Sequence, residues 1–212
     1  MLDAWIDAHG DRVQHKGNDR VFGAEHLSPA IAAFKHDAAL EDIASAYMGS
    51  EQKALFTLGI RLRAAQGKKT RSGGRWHRDR RGRQFKSLVY LTDCVRRNGA
   101  FCIVRRSASP EPFNDAIAAT GFSFPDVRWD DDEIEPFLAQ LGDEVVPIEG
   151  EAGTLVMFDS SLIHSGLPIR AGHRYALTNY YYAADEIDLV RMAEKFSPSV
   201  RPFEMPRFGY TA

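Results

Sequence analysis

Between residues 55 and 182 the chain breaks into short β-rich runs, and that pattern limits its fold more than any other feature. Residues 55–62, 85–92, 100–104, 153–159 and 175–182 are rich in β-branched, aromatic and aliphatic side chains, and residues 160–164 lead into a further strand. Arg96-Arg97-Asn98-Gly99, between two of these runs, is a sequence of the kind that closes hairpins. The first fifty residues read as helical instead. Ser28 can cap a helix with Pro29 at its first position and residues 30–36 following, and Asp37 can cap a second. In that second helix Leu40, Ile43, Ala44 and Tyr47 recur at spacings of three and four, and Gly49 ends it. Helices followed by many short strands predict two antiparallel sheets packed face to face under a helical cover, with a jelly roll as the natural candidate.

The remaining segments fit around such a core. Residues 68–74 form a polar, glycine-containing loop. Residues 110–147 read as an irregular insertion with a short helix at 134–141. The tail beyond Phe196 holds Pro198, Pro202 and Pro206 and is expected to wrap the surface. With no internal repeat and no linker, one domain over 1–212 is expected: a helical part at 1–50, a jelly-roll core at 51–185 and a C-terminal tail at 186–212.

At 212 residues the chain can bury one substantial core, and 44% hydrophobic with 26% charged residues is a globular rather than a disordered balance. No run reaches the roughly 18 apolar residues of a membrane helix. The N-terminus lacks a basic and then apolar leader, and the two cysteines, Cys94 and Cys102, sit in apolar segments; a disulfide is one reading, and reduced, buried thiols are the favoured one. A cytoplasmic protein with no membrane partner is expected. Net charge is −2 but unevenly spread. Residues 61–106 carry fifteen Lys/Arg against Asp79 and Asp93, whereas residues 126–151 carry ten acids and one arginine. Solvated loops are one reading, and a basic rim for an anionic substrate is the other. No aromatic-basic interleaving supports a nucleic-acid surface.

The chemistry lies in Trp76-His77-Arg78-Asp79 and His164. On extended backbone, residues i and i+2 point to the same side, so His77 and Asp79 can reach one ion. His164 follows 85 residues later, just past an apolar strand that can lie beside the first motif. Two histidines and a carboxylate make a facial triad that leaves positions on an octahedral iron open. Arg174, ten residues beyond His164, can form a bidentate pair with a carboxylate such as that of a 2-oxoacid. Arg170 could do the same from the preceding turn, but a rigid strand favours Arg174.

The chain resembles the phytanoyl-CoA dioxygenase family of iron(II)/2-oxoglutarate oxygenases. The likeness rests on Gly74-Arg75-Trp76-His77-Arg78-Asp79, on Tyr90-Leu91-Thr92-Asp93 through Asn98-Gly99-Ala100-Phe101, on Phe158-Asp159-Ser160-Ser161-Leu162-Ile163-His164-Ser165-Gly166, and on Arg174. It implies a double-stranded β-helix, iron(II) held by His77, Asp79 and His164, and 2-oxoglutarate anchored by Arg174. Arg63 stands where the family often has a supporting basic residue, and Tyr90 is expected to line the same pocket. Two departures from the family bear on the substrate. Val104-Arg105-Arg106-Ser107 stands where Pro-Gly-Ser-His is common, and Leu167-Pro168 where an asparagine often follows the second histidine. The carboxylate of Asp79 points to hydroxylation rather than halogenation.

The implied reaction uses dioxygen and 2-oxoglutarate to hydroxylate a small or carrier-linked metabolite, releasing succinate and carbon dioxide. Arg78, Arg80 and Arg83, with Arg75 and Arg81 nearby, are solvated loop charges on one reading and contacts to an anionic substrate on the other. Two further functions compete: a cupin-like metal enzyme that uses no 2-oxoglutarate, and a non-catalytic binding protein on the same fold. His9, His15, His26 and His36 are expected to be surface or packing residues, and His173 to face away from Arg174.

Overall fold

A computed structural model of the chain describes residues 1–10, 18–64 and 75–185. The expected loop at 68–74, His15 and the C-terminal tail lie outside the described residues. Among the described residues, ten strands form two five-stranded antiparallel sheets. The major sheet runs β1 (Asn18–Phe22), β2 (Gln52–Arg63), β10 (His173–Ala183), β4 (Phe85–Tyr90) and β8 (Leu155–Asp159). The minor sheet runs β6 (Arg128–Trp129), β3 (Trp76–His77), β9 (His164–Gly166), β5 (Phe101–Val104) and β7 (Val145–Ile148). This is the two-sheet architecture of a double-stranded β-helix, mainly β with a helical cover.

Alternation along each strand divides the core into layers. On β2, Leu58, Ile60 and Leu62 face inward, while β4 and β10 add Leu88, Tyr90 and Ala176. The outer face of the major sheet is covered by α1 (Leu2–Ala8), α2 (Pro29–Lys35) and α3 (Ala38–Met48), whose Leu2, Ile6, Leu40 and Ala44 pack on Val21, Leu177, Phe85 and Tyr181. The helix ends follow the sequence chemistry. Ser28 and Asp37 accept backbone N–H groups as caps, and Gly49 takes the left-handed conformation that stops α3.

Two sequence expectations need correction. The first fifty residues are not wholly helical, because β1 forms the edge of the major sheet. Its period was hidden because Asp19 occupies a buried position where an apolar residue would normally mark the strand. That burial is offset by Arg61, whose Nε donates to Asp19 at 2.9 Å while its Nη1 pairs with Asp3 and Asp7 at 2.8 Å each. The insertion is also more ordered than its pattern suggested. It contains α4 (Asn114–Thr120) and α5 (Asp131–Leu138), along with β6 and β7. Phe113, Phe122, Phe124, Trp129 and Phe137 converge with Trp76 and Ile163 into a cluster over the minor sheet. Their irregular spacing shows no helical or strand period because they meet only in the folded chain.

The turn at Gly99 closes no hairpin, because it carries the chain from β4 in the major sheet to β5 in the minor one; Gly99 has φ +89, and a Cβ there would come within 2.7 Å of Leu62 Cδ2 and 3.2 Å of the Leu167 carbonyl oxygen. Gly99→Ala is therefore expected to destabilise the protein by about 1–3 kcal/mol. Urea denaturation checks this, and a loss within about 0.5 kcal/mol, the range of an ordinary surface change, would show that the turn relaxes freely.

Candidate metal centre

His77 and His164 are Cα partners on the adjacent antiparallel strands β3 and β9, so their rings meet at 4.4 Å between centroids. Each ring is fixed by the same device. Nδ1 of His77 lies 2.8 Å from the Arg75 carbonyl oxygen, and Nδ1 of His164 lies 2.8 Å from that of Leu162. A carbonyl only accepts, so both Nδ1 atoms donate and both Nε2 atoms present a lone pair. Asp79 is placed by its own N–H, which donates to the Ser160 carbonyl at 2.9 Å. Its Oδ1 lies 3.8 Å from His77 Nε2 and its Oδ2 lies 3.6 Å from His164 Nε2. The ligand atoms of the three residues lie within 4.8 Å of one another.

The turn before His164 ties the two motifs together. Asp159 accepts from the N–H groups of Gln84 at 3.1 Å and Ser161 at 2.8 Å, and from the Tyr47 hydroxyl at 2.5 Å. This presents the Ser160 carbonyl to Asp79 and the Leu162 carbonyl to His164. Sequence reasoning gave Asp159 no role of its own because two of its three partners are backbone groups.

Lys86 was also missed. It sits in the apolar run of β4, with its side chain only 3% exposed. Its Nζ is 2.5 Å from Asp79 Oδ2 and 3.6 Å from the Tyr180 ring centroid. The available signal was parity, since Lys86 shares its strand face with Leu88 and Tyr90. Burial would raise the Asp79 pKa, but Lys86 and the two histidines outweigh it and hold the carboxyl below its usual range. Burial keeps both histidines neutral, pushing His77 down to about 3 with help from His164.

Those neutral histidines set a pH dependence. As pH falls below about 6.5 the unfolded chain binds protons at these two side chains that the folded chain refuses, so stability falls toward acid. The metal-free protein is expected to lose up to about 1.4 kcal/mol per pH unit per histidine. The check compares stability from pH 7 to 5 for the wild type and His77→Gln/His164→Gln. An equal decline in both would remove these histidines as the cause.

Arg174 lines the same cavity as the triad. It is 1% exposed, its Nη1 donates to the Gly99 carbonyl, and its Nε has no partner. Among the described residues no carboxylate pairs with it, and burial pulls its pKa down. Its neighbour His173 is exposed on the opposite face, as expected.

The other candidates divide. Tyr90 is buried beside Arg174, but its hydroxyl donates to the Ile148 carbonyl at 2.8 Å and accepts from the Phe101 N–H at 3.1 Å. It supports the pocket from behind, because those backbone partners hold its hydroxyl away from the lining. Arg63 is not brought to the pocket. It falls on the outward parity of β2, half-exposed, with Nη2 3.3 Å from Asp19. Arg78 does line the pocket, whereas Arg80 and Arg83 do not. Arg83 turns to Tyr47, donating to its carbonyl at 3.3 Å and lying over its ring. Arg75 pairs with Asp130, and Arg170 is exposed. The pocket itself is a cavity of about 330 Å³ between the sheets, with apolar walls that include Leu58, Ile60, Leu88 and Phe101.

Residues 5–175 match the family described as phytanoyl-CoA dioxygenase (PhyH). The chain belongs to this family. No curated protein matches it. Among solved structures of the same fold, EctD from S. alaskensis with 2-oxoglutarate and 5-hydroxyectoine is 18% identical with a TM-score of 0.62, covering 87% of this chain and 65% of that one. HygX from Streptomyces hygroscopicus with nickel, 2-oxoglutarate and hygromycin B is 15% identical at 0.57, covering 84% and 77%. EvdMO1 is 18% identical at 0.54 over 78% of this chain, which spans only 35% of EvdMO1. These likenesses establish the phytanoyl-CoA dioxygenase fold rather than a substrate. Among the described residues, no helix is long and apolar enough to cross a membrane.

Proposed function

We propose that this chain is an iron(II)- and 2-oxoglutarate-dependent dioxygenase that hydroxylates a small or carrier-linked metabolite, acting as a single domain over 1–212. His77, Asp79 and His164 would hold the iron. The donor set fits, since two neutral imidazoles with free Nε2 lone pairs and one ionised carboxylate converge on one point. When bound, iron(II) supplies dioxygen activation coupled to decarboxylation of 2-oxoglutarate to succinate and carbon dioxide, with one oxygen atom passed to the substrate.

The chain's own residues orient and shield. Lys86 occupies Oδ2 of Asp79 and leaves Oδ1 open to an ion. The Nδ1 hydrogen bonds lock both rings, a placement of outer partners that raises metal affinity. Arg174 would take the distal carboxylate of 2-oxoglutarate, and the apolar walls limit water. In the solved structures of EctD and HygX, 2-oxoglutarate is bound on this fold.

The observation that carries the reading is the buried guanidinium of Arg174, without a carboxylate partner among the described residues, in the same pocket as the triad. In a metal enzyme that uses no oxoacid, or in a binding protein, that charge would be an uncompensated interior cost. The test is iron-dependent release of succinate from 2-oxoglutarate under air. Slow turnover even without the primary substrate supports the reading. No succinate with iron bound, and no binding of 2-oxoglutarate, would contradict it.

A further inference from the structure

The proposed iron and co-substrate leave most of the charge around the pocket unexplained. Arg20, Arg78, Lys86, Arg128 and Arg174 line it, against the single carboxylate of Asp79. Iron(II) and a 2-oxoglutarate dianion would cancel one another, so the cationic excess would persist. Lys86 is paired with Asp79, and Arg174 has its role on the reading above. Three guanidiniums remain.

Their positions are not scattered. Arg20 is on β1, an edge strand of the major sheet, and Arg128 is on β6, an edge strand of the minor sheet. Arg78 directly follows β3, with its N–H on the Val127 carbonyl at 2.9 Å. The three therefore flank the side of the pocket where the two sheets end.

Arg78 is the most constrained. It is 5% exposed, with its guanidinium 4.7 Å from the Phe124 ring centroid and 5.5 Å from that of Trp129. Nε and Nη2 of Arg78 and Nε of Arg20 are buried without a hydrogen-bond partner. Among the described residues, no ion pair joins Arg20, Arg78 or Arg128 to a carboxylate. A buried, aromatic-stacked guanidinium with N–H groups to spare is costly unless an anion completes it, and its planar fork matches an oxyanion.

We propose that the primary substrate carries a compact oxyanion, a carboxylate, sulfate or phosphate group, seated by Arg78 and Arg20 with Arg128 at the rim. This rests on the dioxygenase reading, in which Arg174 belongs to 2-oxoglutarate. The cavity of about 330 Å³ must also hold the co-substrate, so the part of the substrate that enters is small. Cations on both edge strands also raise the local concentration of an anion before it docks.

The experiment uses full-length protein loaded with nickel(II) and saturating 2-oxoglutarate, titrated with inorganic phosphate by calorimetry. Phosphate is expected to bind, and Arg78→Met and Arg20→Met are each expected to weaken it by about tenfold or more. Methionine keeps an unbranched apolar side chain and removes the guanidinium. Arg128→Gln alters only an exposed side chain and should weaken binding about two- to threefold by loss of steering, with a shallower salt dependence. The affinity for 2-oxoglutarate is measured in the same samples.

Normal 2-oxoglutarate binding with no phosphate binding overturns the oxyanion seat and leaves the dioxygenase reading standing. Phosphate that competes with 2-oxoglutarate, and is lost in Arg174→Met but not in Arg78→Met, also overturns the seat. Failure of 2-oxoglutarate to bind, with phosphate still lost in Arg78→Met, supports the seat and overturns the co-substrate assignment instead.

Discussion

Alanine at His77 or His164 is expected to remove iron-dependent succinate formation, with metal affinity falling by more than about 100-fold. Loss of an outer partner alone costs roughly 10–100-fold, and these residues are the donors themselves. Both variants should fold, because each replaces a neutral imidazole whose Nδ1 partner is a single backbone carbonyl. Asp79 differs. Its carboxylate neutralises Lys86, which is buried, so Asp79→Ala strands a cation in the interior at a cost of about 3–5 kcal/mol. The informative variant is therefore Asp79→Ala/Lys86→Met, which is expected to be folded by circular dichroism yet inactive. Metal affinity within a fewfold of wild type in any of these three proteins would remove that residue from the centre.

Arg174→Met is expected to separate stability from binding. In the protein without 2-oxoglutarate, the guanidinium is buried with no carboxylate partner among the described residues. Replacing it with an apolar side chain of similar length should leave the melting temperature unchanged or raise it. The affinity for 2-oxoglutarate should fall by about 2–5 kcal/mol, roughly 30- to several-thousand-fold, because one partner of a buried charge pair is gone. Thermal melts and calorimetric titration check the two halves. A destabilised variant that binds 2-oxoglutarate normally would make Arg174 a structural residue held by Gly99.

What could be read from the sequence follows the reach of each interaction. That His77, Asp79, His164 and Arg174 would meet in one pocket was legible because the motif is chemically specific and strand parity fixes which residues share a face. The helices α2 and α3 were legible through Ser28, Asp37 and Gly49, which act within a few residues of themselves. β1 was hidden because the buried Asp19 is compensated by Arg61, forty-two residues away in sequence. The aromatic cluster of the insertion was hidden for the same kind of reason. Arg63 was misplaced by one step of parity, and one step on a strand reverses the face. Lys86 was overlooked because a lysine in a strand is ordinarily a solvated edge residue. Its parity with the inward-facing Leu88 and Tyr90 turns it onto Asp79 instead.

If the triad and Arg174 form one site, iron(II) and 2-oxoglutarate bind there together. The most direct measurement is the visible spectrum of the protein titrated with iron(II) and 2-oxoglutarate in the absence of oxygen. A weak metal-to-ligand charge-transfer band is expected for the wild type, absent in His164→Ala and in Arg174→Met at the same ligand concentration. A wild-type protein that binds iron yet shows no band at saturating 2-oxoglutarate would contradict a shared site.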